Sequence, residues 1–483
     1  MERVELAEAA AIAGAVAAPL VLLARTRLVL AAGLVLLAAA ETALAFALLP
    51  DQLEAVFTSP ARGGAAVVGL VALAGFAALL VRFPILVPAG LLVAAPVRLP
   101  VALRDEEAFL LLPLYGVLAA AALALLYRLA RGSELHPLPL FLAVPAAAFV
   151  GLASLSYLWS GDPREGAVDL FFFLFPFTVL AVVVAQVELS RAVARVLAAV
   201  VLACAAAVAA IGLWQQWTHT LFFADDLQAS NAYTSFFRVT SIFADSSIYG
   251  RYVALGIVVV LVLLWLDRLR PAAGLPLLAL LLAGLYFSYS QSTFVALFVV
   301  ILLVALVAGD RRSRQIVAAA AAALVLAGAG LVAATVQEES ARRATSDRWP
   351  LVSLTMPVFL DNPVVGVGIG AQPYASTQLE DARPRKNRNV SHTTPLTVAA
   401  ELGVLGILAY SAFLVAAARG AVLSMRRERA LGLVLLAVLV LLVVHSLSYS
   451  GFFEDPFTWL VLGVAAACLA TMPEPRGEPP PAA

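Results

Sequence analysis

The chain is poor in charge. Aspartate, glutamate, lysine and arginine together make up 13% of its 483 residues, whereas soluble domains carry about 25%. Hydrophobic residues make up 63%, and the mean hydropathy is +0.98. This balance excludes a soluble globular domain and predicts an integral membrane protein. The formal net charge is +0, so the chain has no basic excess with which to bind a phosphate backbone, and nucleic acid is excluded as a partner.

Cysteine is nearly absent, and the common catalytic motifs are missing. Cys204 and Cys468 each stand alone in an apolar run, which predicts two buried thiols and neither a disulfide nor a metal clip. The aspartates are dispersed, and none pairs with a histidine at metal-ligand spacing. No P-loop, G-x-S-x-G or H-E-x-x-H is present. The sequence therefore predicts no metal centre and no cofactor.

Apolar runs of span length, by contrast, follow one another along the chain. Each membrane-crossing helix needs about 20 apolar residues and satisfies its own backbone hydrogen bonds. The runs predict an all-α polytopic transmembrane bundle of about 12–15 spans, in one membrane domain over residues 1–472, with a proline-rich disordered tail at 473–483. They cover residues 8–24, 28–49, 65–81, 84–103, 109–127, 138–158, 167–187, 193–214, 248–266, 275–289, 292–308, 316–336, 395–418, 430–449 and 457–472. Fifteen is an upper count, because Pro96 and Arg98 break the run 84–103, for which a partly interfacial segment is the alternative.

The distribution of arginine predicts which loops face the cytoplasm. Short loops that carry Arg25, Arg128 and Arg426, among others, alternate with acidic or neutral loops. The positive-inside rule puts the arginine-bearing loops in the cytoplasm. The two long polar segments, 215–247 and 337–394, then face outward. The predicted location is the inner (cytoplasmic) membrane, with an active site on its extracytoplasmic side.

The second long segment gathers positive charge and a titratable ring, His392. Its cations, which indicate an anionic substrate, are Arg342, Arg343, Arg348, Arg383, Arg385, Lys386 and Arg388. Pro395 suits the first turn of a helix, with Thr393 or Thr394 as N-cap, so His392 is predicted at a positive helix N-terminus. That field favours the neutral imidazole that a general base requires; a solvated surface histidine is the alternative. Glu401 is predicted to brace the mouth of this helix and not to partner His392.

Two arginines and a glycine motif add further candidates. Arg251 lies just inside the span after the first long segment, where a guanidinium facing lipid would cost about 2–3 kcal/mol. It is predicted to face protein or a polar cavity, with snorkelling to the headgroups as the alternative. Arg238 lies in the loop, where a solvated charge is the alternative to a binding role. The glycines of residues 366–370 lack the context of a dinucleotide site and predict either amides facing an anion or a packing turn.

Three blocks of the sequence resemble, in order and spacing, the signature blocks of the O-antigen ligase and O-antigen polymerase superfamily. They are RVTSIFADSSIYGRY at 238–252, DRWPLVSLTMPVFLDNPVVGVGIG at 347–370 and SHTTPLTVAAELGVLG at 391–406. The resemblance covers roughly residues 200–450. The third block is the most specific.

The resemblance implies a membrane glycosyltransferase of the GT-C type. Such an enzyme takes a glycan from an undecaprenyl-pyrophosphate carrier and joins it to a hydroxyl of a glycan or lipid acceptor, outside the cytoplasmic membrane and without metal. By this resemblance His392 would be the catalytic base, Arg238 and Arg348 would hold the pyrophosphate, and Arg251 would be a weaker candidate for the same role. The sequence departs from the pattern at Thr393, where an asparagine is common, and at Gln291, where an arginine often follows the serine.

Two other functions remain open. A transporter or flippase of lipid-linked glycans would concentrate charge along a path through its central spans, whereas the predicted spans here are nearly free of charge. A sensor or assembly protein that binds polysaccharide would tolerate the loss of His392. The clustering of cations in the outward segments favours chemistry at the membrane surface.

Overall fold

The computed structural model describes residues 2–103, 106–312, 314, 315, 319, 349–379, 389–449 and 451–474. The predicted all-α polytopic bundle is confirmed: 11 helices of the described residues are long and apolar enough to cross a membrane, and three shorter apolar helices accompany them. The helices are α1 (Glu2–Leu23), α2 (Arg27–Leu48), α3 (Pro50–Thr58), α4 (Pro60–Arg82), α5 (Leu86–Ala94), α6 (Leu112–Ala130), α7 (Leu140–Ser156), α8 (Pro163–Asp169), α9 (Phe175–Ala185), α10 (Arg191–Thr218), α11 (Asp225–Asn231), α12 (Ser246–Trp265), α13 (Pro271–Tyr286), α14 (Gln291–Ala308), α15 (Trp349–Asp361), α16 (Gln372–Ser376), α17 (Thr394–Arg427), α18 (Arg429–Ser446) and α19 (Pro456–Thr471).

The predicted run 84–103 does not form a helix of span length. The nine-residue helix α5 ends at Ala94, and the chain continues into the strand β1 (Leu99–Leu103). Pro96 explains the break, because its ring removes a backbone donor and clashes with the preceding turn. The strand pairs antiparallel with β2 (Glu106–Leu110) in a short hairpin. The predicted run 316–336 falls almost wholly outside the described residues.

The centre of the bundle is formed by α9, α12 and α19. Every residue of α9 is buried, as are most residues of α12 and α19. An aromatic cluster at the start of α19 fixes the preceding loop: the rings of Phe149 and Phe453 stack with centroids 3.8 Å apart, and Trp459 Nε1 donates to Phe453 O at 3.0 Å. The short segment between α18 and α19 is therefore anchored to the core.

A break in α17 is closed by a remote loop. Gly403 has φ +63 inside the helix, and the loop around Gly366 lies against it. Val404 N donates to Pro363 O at 2.8 Å, and Val367 N donates to Ala400 O at 2.9 Å. A Cβ on Gly366 or Gly403 would collide with the backbone of the opposite segment. Irregular backbone inside a membrane protein is tolerated where other groups take up its hydrogen bonds, and the loop does so here.

Candidate functional site

The backbone around Arg238 is held by a buried amide from a transmembrane helix. Gln215, on α10, is fully buried. Its Oε1 accepts hydrogen bonds from Thr240 N at 3.1 Å and Ser241 N at 2.6 Å, and its Nε2 donates to Ser241 O at 2.9 Å. Asn231, at the end of α11, bonds to both the N–H and the carbonyl of Arg238. These bonds fix the backbone at Arg238 and just after it, so the Cα atom that carries the Arg238 side chain has a defined position.

Arg238 lines a cavity of about 300 Å³ at the beginning of two helices. The other lining residues come mainly from the first turns of α12 and α14 and from the segments before them: Leu227, Ala244, Asp245, Ser246, Ser247, Tyr289, Gln291 and Ser292. We call this space the Arg238 cavity. Helix N-termini carry partial positive charge, and α14 has no acidic residue in its first turn. The cavity suits an anion with several oxygens.

Buried hydroxyl groups hold the two helix starts together. Ser290 Oγ lies 2.8 Å from Thr293 Oγ1, and Gly250 of α12 packs so closely on this turn that a Cβ there would lie 3.0 Å from Ser288 Oγ. Asp245 caps α12, since its Oδ1 accepts from Ser247 N at 2.6 Å. Its charge is therefore partly satisfied by amides.

The guanidinium of Arg238 has unused hydrogen-bonding capacity. Its Nη2 donates to Tyr289 O at 3.5 Å. Its Nε is buried and has no hydrogen-bond partner among the described residues. An unpaired buried donor is costly, and a bound anion would remove that cost. The solvated-charge alternative for Arg238 does not describe this half-buried side chain.

His392 lies where the sequence predicted, immediately before a helix cap. Thr393 is the N-cap of α17, and Pro395 is in its first turn. The ring of His392 is half-buried, and its φ of +53 is in the left-handed region. A non-glycine residue there is strained and persists only where its surroundings fix it. The alternative of a freely solvated histidine is therefore not supported.

A second buried amide fixes the segment that leads into His392. Gln372 is fully buried. Its Nε2 donates to Asn389 O at 2.9 Å, and its Oε1 accepts from Ser391 N at 3.1 Å. Ser391 in turn bonds through its hydroxyl to Thr393 N at 3.2 Å. The conformation of His392 is thus held from its N-terminal side.

Replacing Gln372 by alanine should lower the free energy of unfolding by about 1–3 kcal/mol, because it leaves buried backbone groups without partners. Gln372→Glu should cost at least as much, since an ionised carboxylate cannot donate to Asn389 O. Unfolding of the detergent-solubilised protein measures both changes. The matched control is Gln378→Ala, whose amide is exposed; equal effects at the two positions would contradict the assignment.

Arg251 faces protein, as the sequence predicted, and forms a buried ion pair. Its Nη2 lies 2.9 Å from Asp455 Oδ2, and each side chain is only 7% exposed. The guanidinium also lies over the ring of Tyr449, with Cζ 5.5 Å from the ring centroid. The snorkelling alternative for Arg251 is wrong, because the charge is neutralised inside the bundle.

Tyr449 connects the candidate residues. Its ring centroid lies 6.5 Å from that of His392 and 5.4 Å from that of His445. Burial raises the pKa of the Tyr449 phenol, the charge of Asp245 raises it further, and Arg251 lowers it. Asp245 also lines the Arg238 cavity. The structure therefore brings His392 and Arg251 together around Tyr449, and Asp245 of the Arg238 cavity acts electrostatically on the same ring.

A second cavity has a volume of about 90 Å³. It is lined by carboxylates, two threonines of α17 and aromatic rings, including Asp169, Glu401, Glu454, Thr394, Thr397, Phe149, Phe173 and Phe453. Thr394 lies two residues after His392, so this cavity and His392 are neighbours in the fold. None of the described residues that line this cavity is cationic, so an anionic group is expected in the Arg238 cavity and not here.

The glycine motif proves to be a packing turn. Gly368 and Gly370 have positive φ, and a Cβ on either would collide with the backbone of residues 156–166. The amides at 370 and 372 face the carboxyl group of Glu401, whose Oε1 accepts from Gln372 N at 3.3 Å. Glu401 braces the mouth of α17, as predicted.

Several predicted residues lie outside the described part of the chain. Arg348 is one of them, and so are the other cations of the second long segment, Arg342, Arg343, Arg383, Arg385, Lys386 and Arg388. Sequence reasoning missed Gln215, Gln372, Tyr449 and Asp455. Gln215 carried a usable signal: it directly follows the apolar run 193–214, where an amide needs a buried partner.

Residues 276–411 match the family model for O-antigen ligase. The comparison with curated proteins finds no match. The matched range contains Tyr289, Gln291 and Ser292 of the Arg238 cavity, the position of Arg348, and His392. It supports a role as a membrane ligase or polymerase of the glycosyltransferase type. The match supports the assignment of this chain to the O-antigen ligase and O-antigen polymerase superfamily, which the three sequence blocks predicted.

Proposed function

We propose that the protein is a glycosyltransferase that moves a glycan from an undecaprenyl-pyrophosphate carrier to a hydroxyl of a glycan or lipid acceptor. The reaction is either ligation or polymerisation of a cell-surface polysaccharide. The observation that carries this proposal is the family match, because its range includes one wall of the Arg238 cavity and His392. The geometry adds a cavity lined by Arg238 that can hold a diphosphate, and a histidine with strained backbone at the start of α17.

The pyrophosphate of the donor binds in the Arg238 cavity. When the bond from the sugar C1 to the pyrophosphate oxygen breaks, the electron pair stays on the pyrophosphate. Guanidinium donors and the N-terminus of α14 stabilise that charge. Arg238 supplies the first guanidinium, and Arg348, outside the described residues, supplies a second. Arg251 stays a weaker candidate for this role because Asp455 already neutralises it.

His392 accepts the proton of the acceptor hydroxyl as its oxygen attacks C1 of the donor sugar. A base close to neutral pH is needed for this step, and an imidazole meets that need. The products are a new glycosidic bond and undecaprenyl pyrophosphate, with the proton on His392. The proton then leaves to water. The proposed mechanism requires no metal, since cationic side chains carry the charge stabilisation.

The chain is a multi-pass membrane protein, and we place its reaction at the extracytoplasmic face of the inner membrane. The support is the arginine distribution of the short loops together with a lipid-linked donor, which requires a site at a membrane surface. The proposed organisation is a single membrane domain over 1–472, with extracytoplasmic segments at 215–247 and 337–394 and a tail at 473–483.

Purified protein supplied with an undecaprenyl-pyrophosphate glycan and a hydroxyl acceptor should release the carrier pyrophosphate and form a glycosidic product. Product is measured by mass spectrometry, with and without a chelator, and the chelator should leave the rate unchanged. Movement of the donor across a vesicle bilayer without any product would instead support the flippase alternative. Loss of activity in chelator would overturn the metal-independent mechanism.

A further inference from the structure

The ion pair between Arg251 and Asp455 is built as a fixed element. Asp455 Oδ2 binds Arg251, and Asp455 Oδ1 accepts from Phe457 N at 2.8 Å as the cap of α19. Both oxygens of the carboxylate are therefore used. A buried pair with satisfied hydrogen bonds is rigid, and removing one partner leaves an uncompensated charge. The pair joins α12 to the loop before α19.

Tyr449 stands between this ion pair and His392. The Arg251 guanidinium lies over the Tyr449 ring, an arrangement that is attractive because the ring face is negative. The same ring contacts the imidazole of His392. Thr394 Oγ1 donates to Tyr449 O at 3.4 Å, which ties the backbone of Tyr449 to the start of α17. A contiguous set of contacts thus runs from Asp455 through Arg251 and Tyr449 to His392.

The contact between the rings of Tyr449 and His392 is important because the backbone of His392 is in the left-handed conformation. Gln372 and Ser391 hold its backbone, and the ring of Tyr449 lies beside its imidazole. A base must stand within hydrogen-bond reach of the proton that it removes. A ring whose support is lost can rotate away without any change in the backbone.

We propose that Tyr449, fixed by the Arg251–Asp455 ion pair, is the positioning residue for the imidazole of His392. Arg251 then acts through Tyr449 and does not touch the donor pyrophosphate. This inference rests on the proposed function, because it assumes that His392 is the base. It changes the role that the sequence suggested for Arg251.

The test compares Tyr449→Leu with Tyr449→Phe in the purified full-length protein. Tyr449→Leu removes the aromatic face and should lower kcat by about 10²-fold, the scale expected for a misplaced catalytic group, with the donor KM unchanged. It should also change the pH profile of kcat, since the environment of the imidazole changes. Tyr449→Phe keeps the ring and should retain wild-type kinetics. Tyr127→Leu, at an exposed tyrosine of α6, is the matched control.

Arg251 provides an independent variant that is expected to fold. Arg251→Lys keeps the charge opposite Asp455 but loses the planar guanidinium over the ring, so kcat should fall less than in Tyr449→Leu and the donor KM should not change. Combining Arg251→Lys with Tyr449→Leu should give no further loss, because both act on the same contact. A raised donor KM in Arg251→Lys, or losses that multiply in the double variant, would show a pyrophosphate clamp and overturn the inference.

Failure of the inference is distinguishable from failure of the proposed function. Activity in His392→Ala equal to that of the wild type would remove the proposed base, and with it the function of Tyr449. An inactive His392→Ala together with a fully active Tyr449→Leu would overturn the positioning role alone. Equal losses in Tyr449→Phe and Tyr449→Leu would also overturn it, because they would assign the effect to the hydroxyl and not to the ring.

Discussion

Replacing His392 by alanine should reduce the transfer rate by about 10²–10⁴-fold, the range that general-base assistance contributes. The acceptor hydroxyl would then have to lose its proton to water in the transition state. Donor binding should change little, because the pyrophosphate is assigned to the Arg238 cavity. The measurement is steady-state kinetics with the purified protein and a lipid-linked glycan. Added imidazole should restore part of the rate if the missing group is a base.

The left-handed backbone at His392 calls for a second variant. Asparagine is tolerated at positive φ better than most residues, so His392→Asn removes the base with little added strain. It should be as inactive as His392→Ala, with an unfolding temperature close to that of the wild type. His136→Ala is the matched control, since the recorded hydrogen bonds of His136 to Gln186 use only its backbone. Wild-type turnover in His392→Asn would contradict the mechanism.

Replacing Arg238 by glutamine should lower kcat/KM by about 10²–10³-fold, by analogy with other donors that stabilise transition-state charge. Arg238→Lys should recover only part of this loss, because an ammonium keeps the charge but not the forked geometry. Inorganic pyrophosphate should compete with the donor in the wild type and compete less well in Arg238→Gln. Kinetics at several pyrophosphate concentrations provides the measurement.

The control for Arg238 is an arginine of the predicted cytoplasmic side. Arg131→Gln changes an exposed residue after α6 and should leave both kinetic constants unaltered. Unfolding measurements on Arg238→Gln should show an intact fold, because the backbone of Arg238 is held by Asn231 and Gln215. An unchanged pyrophosphate inhibition constant in Arg238→Gln would refute the assignment of the cavity.

Features with local causes were predictable from the sequence. The start of α17 follows from Thr393, Thr394 and Pro395, which are adjacent, and the structure confirms it. The membrane bundle follows from runs of apolar residues, whose cost of exposure to water does not depend on their partners. The burial of Arg251 follows from the cost of a charge in lipid. Each of these inferences depends only on residues that are neighbours in the sequence and on whether water or lipid surrounds them.

Features that depend on distant residues were not predictable. The sequence indicated that Arg251 faces protein or a polar cavity, but its partner Asp455 lies 204 residues further along the chain (455 − 251), and nothing in the sequence around Asp455 identifies it. Tyr449 is one tyrosine among 11, and its importance comes only from the three side chains around it. The glycines at 366–370 left two interpretations open, because the segment that packs on them is remote. Residue spacing in the sequence cannot decide between such alternatives, because it does not say which helices pack against each other.

The packing of the loop at Gly366 against the helix break at Gly403 limits how this protein can be recombined with relatives. Residues 363–367 and 400–404 supply each other's backbone hydrogen bonds, and neither glycine leaves space for a side chain. A chimaera whose crossover falls between these two segments would take one segment from each parent. The two segments would then no longer fit each other. An exchange of acceptor preference between homologues should therefore transfer both segments from the same parent. His392 lies between them in the sequence and should be transferred with them.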